Sequence, residues 1–168
     1  LIGWTGYGNN SQYLNDVLNK LPEDYTLRLV TSPDWYKHLI DPNNKVQSRP
    51  WSVAMVDKYL AACDYGMYYL PDKDFENCKG MHKLLKNWAI GLPTYISPMP
   101  DYVYAFVESG ADSEGLIIKN KEDWKNLKPV KFDERCRKYA LTYEAKEVAK
   151  QWNKVLQSLQ ASPEDTTS

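Results

Sequence analysis

The sequence lacks any long apolar run and is poor in cysteine. No apolar stretch approaches the roughly 20 residues that a membrane-spanning helix needs, so no transmembrane segment is expected. The three cysteines, Cys63, Cys78 and Cys136, are odd in number and widely spaced. A disulfide framework is therefore not expected, and a reducing compartment, the cytoplasm, is the predicted location.

A surplus of charge of either sign is also missing. The chain has 21 Lys and Arg residues against 22 Asp and Glu residues, which gives a formal net charge of -1. Nucleic acid is not an expected partner, because proteins that bind it usually present a basic surface. Metal ligands are sparse too: Cys78 and His82 stand four residues apart, but no second ligand pair has zinc-like spacing. No metal site is predicted.

What the chain does contain is a regular alternation of β-rich segments and segments of helical periodicity. Strands are predicted at residues 1–4, 25–31, near 45–50, and at 64–71, 93–96 and 115–118. Helices are predicted at 11–21, 52–63, 79–90, 101–108, 119–127 and 133–159, and residues 72–77 are expected to form a polar loop. Such alternation is typical of a parallel sheet with right-handed crossovers.

We therefore predict one α/β domain over residues 1–160. It should contain a doubly wound, Rossmann-like parallel sheet with helices on both faces and a long C-terminal helix. Residues 161–168 are expected to form a disordered polar tail. Because the chain opens on a leucine in a strand-like segment, it is expected to be an excised domain whose N-terminal partner domain is missing.

Ligands of such sheets bind beyond the carboxyl ends of the strands. Three predicted loops lie there, at residues 5–10, 48–51 and 72–80. The first of them, TGYGNN, leads into a helix, whose N-terminal N–H groups and dipole favour a phosphate. This loop matches neither of the standard glycine-rich phosphate motifs. A tight turn that needs positive φ at Gly6 or Gly8 is an equally good interpretation.

The predicted helix around residues 79–90 carries two stripes. Its apolar stripe consists of Met81, Leu84, Leu85 and Trp88, and its basic stripe of Lys79, His82, Lys83 and Lys86. Cations at the start of a helix cost roughly 0.3–1 kcal/mol each, because they face the positive end of the dipole. This unfavourable placement indicates that Lys79 and Lys83 hold an anion such as a diphosphate. A solvated lysine face is the alternative, and Lys86 is expected to be solvated.

The segment 79–98 also carries a longer pattern, of the form K-small-x-x-K-L-L-x-[YW]-[MW]-A-x-G-L-P-V-I-x-S. The matching residues are Lys79, Gly80, Lys83, Leu84, Leu85, Trp88, Ala89, Gly91, Leu92, Pro93, Ile96 and Ser97. This pattern resembles the C-terminal, donor-binding domain of glycosyltransferases with the GT-B fold. Looser features extend the resemblance over nearly the whole chain: the glycine loop, the segment RPWSVAMVDKYLAACDYGMYYLP and the long terminal helix.

The resemblance implies a glycosyltransferase of the hexosyltransferase type. This domain would bind a nucleotide-diphosphate sugar donor, and the missing N-terminal domain would hold the acceptor. The isolated domain is therefore expected to be inactive. No cofactor is implied, because the nucleotide sugar is a substrate.

Site residues follow from the resemblance by position. The donor diphosphate would lie against Gly6, Tyr7, Gly8, Asn9, Lys79 and Lys83, with His82 as a weaker candidate. The base would be bordered by Arg49, Pro50 and Trp51, and the sugar by Tyr102. No catalytic residue is identified. Many retaining members carry two glutamates eight positions apart at this helix, whereas the matching positions here hold Cys78 and Lys86.

Two other functions fit the sequence. The missing glutamates favour a non-catalytic module that binds a nucleotide or a partner through a degenerate site. A nucleotide-sugar epimerase-type domain shares the architecture, but the His and acidic residues that it usually needs are not found. If the chain is part of a two-domain protein, the apolar residues Trp152, Val155 and Leu156 of the terminal helix are predicted to pack against the missing domain.

Overall fold

The structure is a computed structural model that describes residues 1–6, 10, 12–32, 39–41 and 44–161, with 158–161 as backbone only. Its centre is a five-stranded parallel sheet with the strand order β3-β2-β1-β4-β5. The strands are β1 (Ile2–Thr5), β2 (Leu27–Thr31), β3 (Val46–Pro50), β4 (Tyr65–Tyr68) and β5 (Thr94–Ile96). The strand order reverses direction between β1 and β4, which confirms the predicted doubly wound, Rossmann-like fold class.

Described helices lie between β1 and β2, between β3 and β4 and between β4 and β5, and others follow β5. They are α1 (Asn15–Leu18), α2 (Val56–Ala61), α3 (Asp74–Asn77), α4 (His82–Ala89), α5 (Pro100–Ser109), α6 (Glu134–Leu141) and α7 (Ala145–Ala161). Two 3-10 segments, Gln12–Leu14 and Lys121–Asn126, supplement them. Among these helices none combines the length and the apolarity that crossing a membrane requires.

The helices cover both faces of the sheet, as two glycines show. Gly3 of β1 and Gly66 of β4 are register partners, so their missing side chains would point to the same face. A Cβ on Gly3 would lie 2.9 Å from the Cys63 Sγ just after α2, and one on Gly66 would lie 2.2 Å from the Asn87 Nδ2 of α4. Helices α2 and α4 therefore share one face. The strand residues that alternate with these glycines pack with α1 in the larger core, which contains Ile2, Trp4, Leu14, Val17 and Leu18.

Gly66 gives a direct test of this packing. The Gly66→Ala variant is expected to lose about 1–3 kcal/mol of unfolding free energy, because the added methyl would overlap the buried Asn87–Thr94 hydrogen bond of 3.1 Å. Urea denaturation measures the loss. Gly80→Ala is the matched control, since the nearest atom to its Cβ, an Asp101 oxygen, is 3.8 Å away. Equal stability of the two variants would contradict the close approach of α4 to β4.

Several predicted element boundaries are wrong. The polar loop at 72–77 contains helix α3, and α4 begins at His82, so Lys79 precedes it in a turn where its N–H donates to the Glu76 carbonyl at 3.0 Å. Helix α5 begins at Pro100 with Met99 at the N-cap, so Asp101 lies inside the helix instead of capping it. Proline at the first helical position has no N–H that needs a partner, which explains this start.

The end of the chain also departs from the prediction. The strand predicted at 115–118 forms only one bridge, between Ile96 and Ile117. The predicted long C-terminal helix is confirmed as α7, but its predicted span of 133–159 is wrong, because the chain is broken at 142–144 into α6 and α7. At this break the Thr142 hydroxyl donates to the Tyr139 carbonyl at 2.7 Å, a local bond that competes with helix continuation. Residues 162–168, which include most of the predicted tail, lie outside the described residues.

Candidate functional site

A cavity of about 230 Å³ opens at the carboxyl edge of the sheet, between β1 and β4. This is the point where the strand order reverses, the usual ligand position in such folds. The lining residues are Trp4, Asn10, Tyr68, Tyr69, Leu70, Lys79, Gly80, His82, Lys83 and Tyr102. We call it the basic cavity. It contains the sequence-predicted residues Lys79, His82, Lys83 and Tyr102.

Gly6 borders the same site. A Cβ at this position would lie 3.0 Å from the Lys83 Nζ and 2.7 Å from the Trp4 ring, so glycine is needed for close approach. Gly6 is not among the described glycines with positive φ, so the tight-turn interpretation does not explain it. Its carbonyl accepts the Thr31 hydroxyl at 2.9 Å, which fixes the end of β1 to β2.

Lys79 is held by a network that links two loops. It forms an ion pair with Glu76, a carboxylate on α3 that is only 3% exposed, and its Nζ donates to the Asn10 Oδ1 at 3.1 Å. The Tyr13 hydroxyl donates to the Glu76 Oε1 at 2.8 Å. Glu76 therefore ties the chain after β1 to the chain before α4 and neutralises Lys79 within the protein.

Lys83 has a different environment. Its Nζ lies 5.8 Å from the Trp4 ring centroid and 5.7 Å from that of Tyr68. It is half-buried, and no carboxylate of the described residues forms an ion pair with it. Burial and the neighbouring Lys79 lower the pKa of Lys83 to about 8, against the opposing effect of Glu76. Within the described part of the chain, Lys83 is thus a partly desolvated cation without a paired counter-charge.

The other members of the basic stripe differ from Lys83. His82 is exposed, and its pKa is lowered by partial burial and by Lys83, so it is mostly neutral at pH 7 and can donate only as a neutral imidazole. Lys86 lies outside the basic cavity and pairs with Asp57 of α2 at 2.9 Å. Of the basic stripe, Lys79, His82 and Lys83 thus line the basic cavity, whereas Lys86 forms an ion pair on the surface.

Of the three tyrosines that line the basic cavity, Tyr68 and Tyr102 are the most deeply buried. Tyr102 is 2% exposed, and burial raises its pKa to about 12. Tyr68, at the end of β4, is 3% exposed, and its hydroxyl has no hydrogen-bond partner among the described residues. Tyr68 was not predicted from the sequence, since a tyrosine in a β-rich segment is ordinarily core. The rule that ligands lie at strand carboxyl ends is the signal that could have found it.

The residues predicted to border the base lie elsewhere on the sheet edge. Arg49 and Pro50 end β3, and β2 separates them from β1, about 10 Å across two strand spacings. Trp51 is 48% exposed, and none of the three lines the basic cavity. Tyr7, Gly8 and Asn9, predicted for the diphosphate, lie outside the described residues.

A second cavity of about 330 Å³ adjoins the basic cavity and shares Tyr69 and Leu70 with it. Its polar lining comes from the ends of β4 and β5 and from the following segments, and includes Asp72, Asn77, Ser97, Lys119 and Lys121. Together the two cavities extend along the carboxyl edge from β1 to β5. Among the described residues no group of three or more His, Cys, Asp or Glu side chains could hold a metal ion.

Comparisons with known proteins give a structural likeness only. No family model and no curated protein matches the sequence. Three chains of solved structures match. One of them belongs to a structure titled as the basis for EarP-mediated arginine glycosylation of translation elongation factor EF-P, with a TM-score of 0.49 and 13% sequence identity. The match covers 97% of this chain and 61% of that chain, so this chain spans less than two thirds of its neighbour's length.

Proposed function

We propose that this domain binds a nucleotide-diphosphate sugar, with the diphosphate in the basic cavity, and that it is the donor-binding part of a glycosyltransferase. The observation that carries the proposal is Lys83. A half-buried ammonium without a protein carboxylate costs stability, and an anionic ligand would offset that cost. The GT-B-like segment 79–98 contributes this lysine and supports the same assignment.

The arrangement suits the chemistry of glycosyl transfer. Negative charge develops on the diphosphate as the bond to the sugar breaks, and fixed cations in a partly desolvated site stabilise that charge. Lys83 supplies a full positive charge, whereas Lys79 shares its charge with Glu76 and adds a hydrogen-bond donor. The second cavity offers space for the groups attached to the diphosphate. The acceptor would come from a further domain.

Calorimetric titration tests the proposal. We expect UDP, GDP or ADP to bind in the basic cavity, and the matching nucleoside to bind at least about tenfold more weakly, because a charge-assisted hydrogen bond contributes about 1.5–3 kcal/mol. If no nucleoside diphosphate binds at millimolar concentration and low salt, the proposal fails. That result would favour the other candidate, a partner-binding module, for which Cys78 and Lys86 at the usual glutamate positions are the supporting observation.

Diphosphate binding should also depend on pH in a defined direction. Lys83 loses its proton as the pH rises through its pKa of about 8, and with it the positive charge that would meet the diphosphate. A phosphate group, whose second pKa is about 6, stays ionised over the same range. Affinity for UDP is therefore expected to fall about tenfold between pH 7 and pH 9.5, measured by calorimetry. In a Lys83→Met variant the UDP affinity should not change with pH. If it falls as steeply as in the wild type, another group is responsible for the pH dependence.

A further inference from the structure

We propose that the Tyr68 hydroxyl is a ligand-binding group of the basic cavity and donates a hydrogen bond to a phosphate oxygen. The inference rests on the proposed function and names a residue that neither the sequence nor the comparisons assign. Tyr68 is 3% exposed, and its Oη is buried and has no partner among the described residues. The residue itself lines the basic cavity, together with Lys79 and Lys83.

A buried hydroxyl without a partner is unfavourable, and a protein that retains one usually has a use for it. Two other tyrosines show the ordinary arrangement. Tyr95 donates to the Lys128 carbonyl at 2.8 Å, and Tyr13 donates to Glu76. Tyr68 differs from both because no described acceptor lies within hydrogen-bond distance of its hydroxyl, and because the residue lines the basic cavity.

The surroundings of Tyr68 indicate what kind of ligand group it meets. Lys83 stands over the Tyr68 ring, with its Nζ 5.7 Å from the centroid, so the ammonium and the phenol belong to the same wall. An ammonium offers only donors, and so does not satisfy a hydroxyl that needs an acceptor. Burial raises the pKa of Tyr68 far above its usual range, which keeps the hydroxyl protonated as a donor. A phosphate oxygen, which only accepts, is the complementary group.

Tyr68→Phe tests the inference, because it removes the hydroxyl and leaves the ring. UDP affinity is expected to fall about five- to tenfold, uridine affinity should not change, and the urea midpoint should stay the same or rise. Tyr95→Phe is the matched control. It removes a hydroxyl that has a protein partner outside the basic cavity, so it should lower the urea midpoint and leave UDP affinity unchanged.

The outcomes separate the inference from the proposed function. If Tyr68→Phe binds UDP as tightly as the wild type while Lys83→Met does not, the inference fails and the proposed function stands. If Tyr68→Phe loses stability as Tyr95→Phe does, the hydroxyl is structural and the inference fails. If the wild type binds no nucleoside diphosphate, both fail. A 3-fluorotyrosine at position 68, a stronger donor of nearly the same shape, should tighten UDP binding; weaker or unchanged binding would contradict the inference.

Discussion

Replacing Lys83 with methionine is expected to weaken UDP binding about 10- to 100-fold, the largest binding effect of any single substitution in the basic cavity. The range corresponds to the loss of one hydrogen bond to a charged group, about 1.5–3 kcal/mol. Lys83 should exceed Lys79 in importance because Glu76 already offsets the charge of Lys79, whereas Lys83 has no described carboxylate partner. Calorimetry at pH 7 and low salt measures the change.

The same substitution should not harm the fold. Methionine keeps an apolar stem against the rings of Trp4 and Tyr68, and the variant no longer carries a half-buried ammonium. Its urea midpoint is therefore expected to equal or exceed that of the wild type. Lys86→Met is the matched control, one turn further along α4, where the lysine pairs with Asp57 outside the cavity. Similar losses of affinity in both variants would mean that only net charge matters, and would refute a specific site.

The fold could be predicted from the sequence because its elements have strong local signals. Alternating β-rich segments such as LRLVT and YGMY became strands β2 and β4, and the apolar stripe of Leu84 and Trp88 became the buried side of α4. Boundaries were less predictable where local bonds compete with helix. At the end of α6 the Thr142 hydroxyl donates to the Tyr139 carbonyl, and the apolar periodicity across 133–159 gives no sign of this bond.

The candidate site could be predicted only in part, for a physical reason. Lys83 follows from helical spacing, and Lys79, which lies in the turn before α4, follows from its position after a strand end; both are properties of sequence. The roles of Glu76 and Tyr68 depend on burial, which is set by tertiary packing. Glu76 stands among Asp72 and Asp74 in a polar segment, yet it alone of the three is buried. Nothing in the local sequence distinguishes it from its solvated neighbours.

Glu76 is the residue of the Lys79 network whose removal is expected to cost the most stability. The Glu76→Ala variant should lose about 3 kcal/mol of unfolding free energy, because it breaks a buried ion pair and leaves the Tyr13 hydroxyl without its acceptor. Lys79 is partly exposed and can turn towards water, which places the loss at the low end of the range for buried pairs. Urea denaturation at pH 7 measures it. Glu122→Ala, which removes the exposed partner of Lys20, should cost less than about 1 kcal/mol.

A double-mutant cycle of Glu76→Ala and Lys79→Ala tests whether Glu76 stabilises the protein through its ion pair with Lys79. Lys79→Ala alone leaves the buried Glu76 carboxylate without its counter-charge, so it should destabilise the protein by about 2–3 kcal/mol. Removing both partners removes the uncompensated charge as well. The double variant should therefore be more stable than the sum of the single losses predicts, by about 1–2 kcal/mol. If the losses of unfolding free energy in the two single variants add exactly in the double variant, Glu76 stabilises the fold through Tyr13 alone. Lys79 would then be as available as Lys83 to bind an anion.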